Sequence, residues 1–380
     1  MREKIADKGL CILFIAALTL CFVISIIKPD TGFSEFENRY LSRKPDLSVE
    51  GIMDGSYMED YESYITDQFP FRNQWITLKT LTERVMLKSE INGVYFAEDD
   101  YYIEKHEKSE LFSDMAIKNG QVLTNFAGKY AEMLGAEHVS VMLVPTASAV
   151  LQDKLPFLAP DDGQEERLEA VRKDMPEGVW VDVYDMLSAH SAEEIYYKTD
   201  HHWTTLGAFY GYCAWKEKQG DMLPDRAEYE EICLTDDFQG TLYAKVNVEM
   251  QPDSIYAFVR PEETVRMRLD MAGEWWDTLY AEDKLATRDK YAVFCDGNHG
   301  LTEVETELSN GKHLLLVKDS YAHCLLPFFT ADFEKITMID LRYYNGSIES
   351  YIKEQNVTDV LTVYNLAGFS SDRYVNKLTN

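Results

Sequence analysis

The stretch that most limits how this chain can fold lies toward its carboxyl end. Residues 313–318, 335–340 and 358–364 are short runs rich in leucine, isoleucine and valine, and helical spacing fills the intervals at 321–329 and 347–355. Short buried strands alternating with helices predict a parallel sheet covered on both faces. The same alternation begins earlier. Met115 to Leu134 reads as a helix, 138–144 as a strand ended by Pro145, 165–174 as a helix, 179–183 as a strand and 205–219 as a helix. Residues 221–311 are less regular and rich in turn signals. The hydrophobic content of 46% and aromatic content of 13% are enough for a substantial core.

In an open parallel sheet, ligands bind beyond the carboxyl ends of the strands. Ser320 follows the strand at 313–318, where the next helix is expected to begin. That position offers backbone N–H groups and the positive end of a helix dipole, which suit a developing oxyanion. A serine hydroxyl is a weak nucleophile until a base takes its proton. The stretch Lys198 to Thr204 packs Asp200, His201, His202 and Trp203 side by side. In an extended segment residues i and i+2 share a face, which pairs Asp200 with His202 and turns His201 away. Asp200 can then hold the His202 imidazole in the tautomer that accepts a proton from Ser320. Trp203 is expected to begin the next helix and wall the site.

Other readings of these residues stand beside this one. A serine at a helix start is commonly a cap. A carboxylate beside two imidazoles suits zinc or iron, although adjacent histidines in a strand point apart and no HExxH or HxH spacing occurs nearby. No metal or other cofactor is expected. Cys213, Cys233, Cys295 and Cys324 show no CxxC spacing, so they read either as buried thiols or as two disulfides.

The amino terminus sets the compartment. Leu10 to Ile27 is apolar apart from Thr19 and Ser25 and, as a helix, reaches roughly 27 Å, close to the hydrocarbon thickness of a bilayer. Arg2, Lys4 and Lys8 precede it, which favours a cytoplasmic amino terminus. Lys28-Pro29-Asp30 is not a small-residue cleavage site, so a signal anchor is expected, with a cleaved signal peptide as the runner-up and everything after residue 28 outside the cytoplasm. The formal net charge of −29 repels phosphate backbones and excludes nucleic acid as a partner.

The expected layout is a cytoplasmic tail at 1–9, an anchor at 10–27, a linker at 28–57, a helical and hairpin segment at 58–112 packing on the domain, and a catalytic domain at 113–380 with an irregular insertion at about 221–311. The aromatic stretch 33–41 is expected to dock back on the domain.

Thr199-Asp200-His201-His202-Trp203-Thr204 resembles the signature of the DHHW protein family. Residues 64–72, 92–96 and 318–321 resemble other segments of that family, so the likeness covers most of the chain after residue 33. The family in turn resembles the alginate O-acetyltransferases of the SGNH hydrolase superfamily, whose Asp-x-His-Trp motif precedes the serine in the chain. The resemblance implies an SGNH-hydrolase-like three-layer sandwich with a mainly parallel sheet. It assigns the nucleophile to Ser320, the base to His202 and the acid to Asp200. Asp319 departs from the small or neutral residue those enzymes tend to carry before the serine. Gly240 and Asn365 are candidates for oxyanion or substrate contacts, and Arg342 and Tyr344 are expected on the active edge.

The implied function is acetyl transfer to, or removal from, a cell-surface polysaccharide by a membrane-anchored enzyme. A multi-spanning membrane acyltransferase would then supply the acetyl group. A non-catalytic scaffold or sugar-binding component of an envelope machine, and a metal-dependent hydrolase, are the alternatives.

Overall fold

The computed structural model describes residues 2–34, 39–261, 263–270 and 273–379. Within the aromatic stretch 33–41, residues 35–38 lie outside the described residues. The chain divides into two compact units, Met1–Lys88 with Ala244–Val248, and Ser89–Tyr243 with Glu249–Asn380.

The first unit begins with α1 (Arg2–Ile27), whose part Asp7–Ile27 is long and apolar enough to cross a membrane or to serve as a signal sequence. Three helices follow, α2 (Val49–Asp54), α3 (Ser56–Gln68) and α4 (Arg72–Val85). Ser48 caps α2 by accepting from the Gly51 N–H, and Gly55, at φ 87°, turns the chain into α3. The stretch expected to run as a linker is tied to α3 instead. Asp67 accepts from the Ser42 N–H at 2.8 Å, and Gln68 accepts from the Thr31 N–H at 2.9 Å.

The second unit opens with a small sheet of strands 90–91, 94–96 and 102–104. Asn92 and Gly93 both have positive φ, 55° and 75°, as a two-residue hairpin loop requires. The main sheet has seven strands: β1 (Val139–Val144), β2 (Val265–Leu269), β3 (Trp275–Trp276), β4 (Leu301–Thr306), β5 (His313–Lys318), β6 (Lys335–Ile339) and β7 (Asp359–Asn365). Their order is β3-β2-β4-β6-β5-β7-β1. The strands β6, β5, β7 and β1 run parallel, whereas β3, β2 and β4 pair antiparallel along the β6 edge.

The expectation of a mainly parallel sheet is therefore corrected to a mixed one, and the irregular stretch at 221–311 supplies its antiparallel strands. Their sequences alternate rather than run apolar. Arg266 reaches Glu305 and Arg268 reaches Glu303, each at 2.8 Å, on a face left to solvent. The strand expected at 179–183 is reduced to a single bridge between Trp180 and Val141, because Val183 already begins a helix.

Side chains of the parallel strands alternate between two cores. Leu314, Leu316, Leu361 and Val363 face one, which α7 fills with Phe209, Cys213 and Trp215; here α5 (Asp114–Leu134), α6 (Gln164–Asp174) and α7 (Thr205–Gln219) are the longer helices of the unit. Leu315, Val317, Val360 and Val139 face the other, packed by Leu123 and Phe126 of α5 and Leu168 of α6. Ile352 of α8 (Ile348–Glu354) and Phe369 of α9 (Leu366–Ser371) complete that core. Period-2 alternation buried on both faces is what the apolar strand runs encode.

The helix expected at 321–329 is broken. A single 3₁₀ turn spans Ser320–Ala322, and a short helix restarts at Leu326–Phe329. Pro327 lacks an N–H and its ring crowds the carbonyl four residues earlier, so it fits only the first turn of a new helix. Ser320 therefore sits at a one-turn cap, without the long dipole expected from the sequence. The cysteines are all free, with Cys213, Cys295 and Cys324 buried and Cys233 exposed.

Candidate active site

β5 ends at Lys318, and Asp319 carries the chain into the turn that holds Ser320. Asp319 Oδ1 accepts from the Tyr321 N–H at 2.9 Å, and Oδ2 accepts from the Asn365 N–H at 2.7 Å. The Asp319 carboxylate thus caps the turn at Ser320 and ties it to the end of β7. Burial pushes the Asp319 carboxyl up to about 6, against the pull of those two N–H groups.

His202 lies across from this turn. Its Nε2 is 2.7 Å from the Ser320 Oγ, and its Nδ1 is 2.6 Å from Asp200 Oδ1. Nδ1–H donates to the carboxylate, which leaves Nε2 to accept from the serine hydroxyl. Every remaining Asp200 contact fixes it further. Oδ1 also accepts from the His202 N–H at 3.0 Å, and Oδ2 accepts from the Thr241 N–H at 2.8 Å and its hydroxyl at 3.0 Å. Burial works against the charge on Asp200, but His201 and His202, by charge and by side-chain hydrogen bonding, outweigh it and hold the carboxyl well below its usual range. Burial, and then the neighbouring His201, push the His202 imidazole down to about 4. The base is therefore neutral and able to accept a proton across the neutral pH range.

The loop 198–202 is bent rather than extended. Asp200 folds back on the His202 N–H in an Asx turn, which curls the backbone and keeps His201 beside His202, with ring centroids 3.8 Å apart. His201 therefore does not turn away; its Nδ1 meets the Thr241 hydroxyl at 2.7 Å and it lines the cavity above Ser320. Asp253 clamps the loop from behind, accepting from the N–H groups of Lys198 and Thr199, each at 2.8 Å.

Trp203 is not a pocket wall. It is fully buried, and its indole N–H donates to the Tyr321 carbonyl at 2.8 Å. The Tyr321 hydroxyl in turn donates to the His201 carbonyl. This reciprocal pair joins the loop of His202 to the turn of Ser320. The helix expected at Trp203 starts at Thr205, with Thr204 accepting from the Gly207 N–H as its cap.

Gly240 is no donor to the site. A side chain there would overlap Asp200, so glycine is what lets the two backbones approach. Tyr344 lies away from the cavity, against the second core. Arg342 and Asn365 do line it, with Ser320 and Asp319. Arg342 forks onto Asp340 at 2.9 and 2.6 Å. Asp340 also receives Lys318 at 3.1 Å, and Lys318 donates to His323 Nε2 at 2.6 Å. Burial and Lys318 hold His323 well below the usual imidazole range. The cavity measures about 800 Å³ and extends past His106 to Tyr374.

Two positions escaped the sequence reading. The Tyr291 ring stacks on His202, and its hydroxyl donates to the Ser320 carbonyl at 3.0 Å. Thr241, next to Gly240, holds Asp200 through its N–H and hydroxyl. Nothing in the local sequence marks Tyr291, which is one of 24 tyrosines.

Asp200, His201 and His202 offer ligand atoms within 4.8 Å of one another, so they are the residues that could hold a metal. Both His202 nitrogens, however, are already engaged, one by Asp200 and one by Ser320.

A carboxylate, an imidazole and a hydroxyl in hydrogen-bonded series, near the carboxyl ends of parallel strands, define the class: a mixed α/β protein in which that series opens on a cavity. Within that class the chain belongs to the DHHW protein family, whose model matches residues 89–339. Among solved structures, a DHHW family protein from Eubacterium siraeum is 24% identical with a TM-score of 0.62, covering 77% of this chain and 96% of that one. PatB1 from Bacillus cereus, solved with a sulfonyl adduct, is 18% identical with a TM-score of 0.58, covering 74% and 98%. The O-acetyltransferase domain of AlgJ from Pseudomonas putida matches more loosely, at 14% identity and a TM-score of 0.41 over 76% and 99%. The first two likenesses are of fold. No curated protein matches the chain.

Proposed function

We propose that the chain is a serine-dependent acyl transferase or esterase, acting on acetyl groups of a cell-surface polysaccharide within an SGNH-hydrolase-like three-layer sandwich. The observation that carries this reading is the unbroken series Asp200–His202–Ser320, with bonds of 2.6 and 2.7 Å. Ser320 Oγ attacks the acyl carbonyl as its proton passes to His202 Nε2, and Asp200 steadies the imidazolium. The new oxyanion is met by the Ser320 N–H and the Asn365 side-chain amide, neither of which has a protein partner among the described residues. His202 returns the proton to the leaving group, and the acyl-serine remains. A sugar hydroxyl or water then attacks it, giving its proton to His202, and Ser320 is released with the proton restored. Arg342 places a fixed positive charge at the cavity wall.

The polysaccharide acceptor follows from the family resemblance and suits a cavity with polar walls and room for several sugar atoms. The helix α1 is read as a signal anchor with its basic end in the cytoplasm, so that the site works outside the cell membrane. Acetyl-coenzyme A is cytoplasmic, and a multi-spanning membrane acyltransferase is the partner that would pass the acetyl group across.

The test is acetate release from a chromogenic acetyl ester, together with labelling by a sulfonyl fluoride. Wild-type protein should turn over the ester and take up one sulfonyl group, and Ser320→Ala should do neither. Turnover that survives Ser320→Ala but is lost to a chelator would transfer the site to a metal at Asp200 and His202. No turnover by either protein, on the ester or on an acetylated polysaccharide, would favour a scaffold.

A further inference from the structure

We infer that α4 is a membrane-interface helix, which lays the first unit against an anionic lipid surface. The face that α4 turns inward is mostly polar, with the half-buried Ile76 at its margin. Thr80 is fully buried, the Thr77 hydroxyl donates to the Asn247 carbonyl at 3.2 Å, and the Asn73 carbonyl accepts from the Asn247 amide at 3.1 Å. The face it turns outward is apolar. Trp75, Leu78, Leu81 and Val85 fall on one stripe at helical spacing and are 49%, 53%, 48% and 83% exposed. Phe71, Met86 and Leu87 extend the exposed apolar surface at the two ends. A helix of a water-soluble domain has the opposite arrangement, because its apolar stripe is what holds it to the core. The inversion means that the outer face of α4 is built to meet something apolar.

Charge selects the occupant. Over residues 72–88 the basic side chains are Arg72, Lys79, Arg84 and Lys88, and the single acid is Glu83, in a chain whose formal net charge is −29. Arg72 pairs with Asp67 at 4.0 Å and Lys88 with Glu83 at 3.0 Å, and Lys79 and Arg84 also have partners within the chain. The helix is still a basic segment on an acidic protein. Basic side chains flanking a stripe that holds a tryptophan match the headgroup level of an anionic bilayer, where long cations reach the phosphates and the indole sits at the boundary. The unit also carries α1. If α1 spans the bilayer, the 28–71 connection keeps α4 within reach of the surface, so even weak interfacial binding is realised. The inference rests on that anchor reading of α1 and is independent of the chemistry at Ser320.

The test uses the full chain with Cys11, Cys21 and Cys233 replaced by serine, leaving the buried thiols in place. Leu78→Cys, Leu81→Cys and, as an exposed control elsewhere, Met222→Cys are each labelled with bimane. Each labelled protein is reconstituted into phosphatidylglycerol–phosphatidylcholine vesicles carrying a nitroxide on the lipid chain near the headgroup. The labels at 78 and 81 should shift to the blue and lose most of their emission, whereas the label at 222 keeps its own. The loss should shrink in vesicles of phosphatidylcholine alone, and in a Lys79→Glu/Arg84→Glu background. Protein that floats with the vesicles while its labels at 78 and 81 stay bright overturns the inference. Bright labels that iodide quenches would leave the face to water, and bright labels shielded from iodide would give it to a protein partner. Protein that does not float with the vesicles overturns the anchor reading, and the role of α4 with it.

Discussion

The imidazole of His202 lies flat on the ring of Tyr291, with centroids 3.9 Å apart and planes 11° from parallel. The same tyrosine donates its hydroxyl to the carbonyl of Ser320. One side chain thus supports the His202 ring and the Ser320 backbone together. Its ring face is the negative face of the quadrupole, so it favours the imidazolium that forms when Ser320 gives up its proton. Tyr291→Phe keeps the ring and loses the bond to Ser320, and should lower kcat about fivefold, the worth of one hydrogen bond near 1 kcal/mol. Tyr291→Leu also removes the ring face and should cost about tenfold more, as expected for a desolvated cation–π contact. Steady-state ester hydrolysis by the two variants checks the order; equal losses would mean the ring face does not support the base.

Gly240 tests the acid without touching it. A methyl group there overlaps Asp200, which must leave the Thr241 N–H and hydroxyl to make room. A displaced carboxylate no longer sets the His202 tautomer, so Gly240→Ala should lose about 10²–10⁴ in kcat with KM little changed. Nitrogen NMR of His202 should show the second tautomer appearing in the variant. Wild-type kinetics in Gly240→Ala would mean that Asp200 has no part in the reaction.

Asp319 is expected to act through the turn. Asparagine there can accept only one of the two N–H bonds, and its amide meets the other donor head-on, so Asp319→Asn should cost about 1–3 kcal/mol of stability. The wild-type carboxyl, raised to about 6 by burial, ionises beside the growing oxyanion as pH rises. Removing it should abolish a change in kcat/KM near pH 6 that the wild type shows. Denaturant titration and a pH–rate profile read the two effects separately.

The parts of the fold that were legible share a physical property. β5 and β7 are buried on both faces, so their apolar runs announced the parallel core, and a place just beyond the end of β5 marked Ser320 as a ligand position. Asp200 and His202 stood out because an acid and imidazoles rarely lie so close in sequence. The strands β2 and β4 were missed because Arg266, Arg268, Glu303 and Glu305 alternate along a solvated face. The orientation of His201 depends on a side chain, Asp200, bonding back to the loop, and local spacing cannot show that. The break in the helix after Ser320 was hidden by the apolar run from Cys324 to Phe329, although Pro327 carried the signal. Tyr291 and Asp253 reach the site only through tertiary packing.

The pH dependence follows from the same geometry. The base must be neutral, and burial with His201 holds its pKa near 4, so kcat/KM should rise through about pH 4 rather than 6.5. His201→Asn removes the like charge beside it and should move that limb upward, with little change in turnover at pH 7. Stability has its own sign. A folded pKa below the unfolded value means the native state binds fewer protons, so stability is present above about 6.5 and is lost as pH falls toward 4. His313 and His323, also lowered, act in the same direction. Asp253 and Asp319, raised to about 6, act oppositely, because the native state then holds protons that the unfolded chain has released above about 4. Asp372, raised by burial, joins them, so three imidazoles stand against three carboxyls. The unfolded imidazoles begin to take up protons near 6.5, above the value near 6 at which Asp253 and Asp319 do, and Asp200 and Asp340 are held low and still charged, so the denaturation midpoint should be lower at pH 5 than at pH 7. A midpoint that rises on acidification would mean that the raised carboxyls dominate and that the buried histidines are far less perturbed than their surroundings imply.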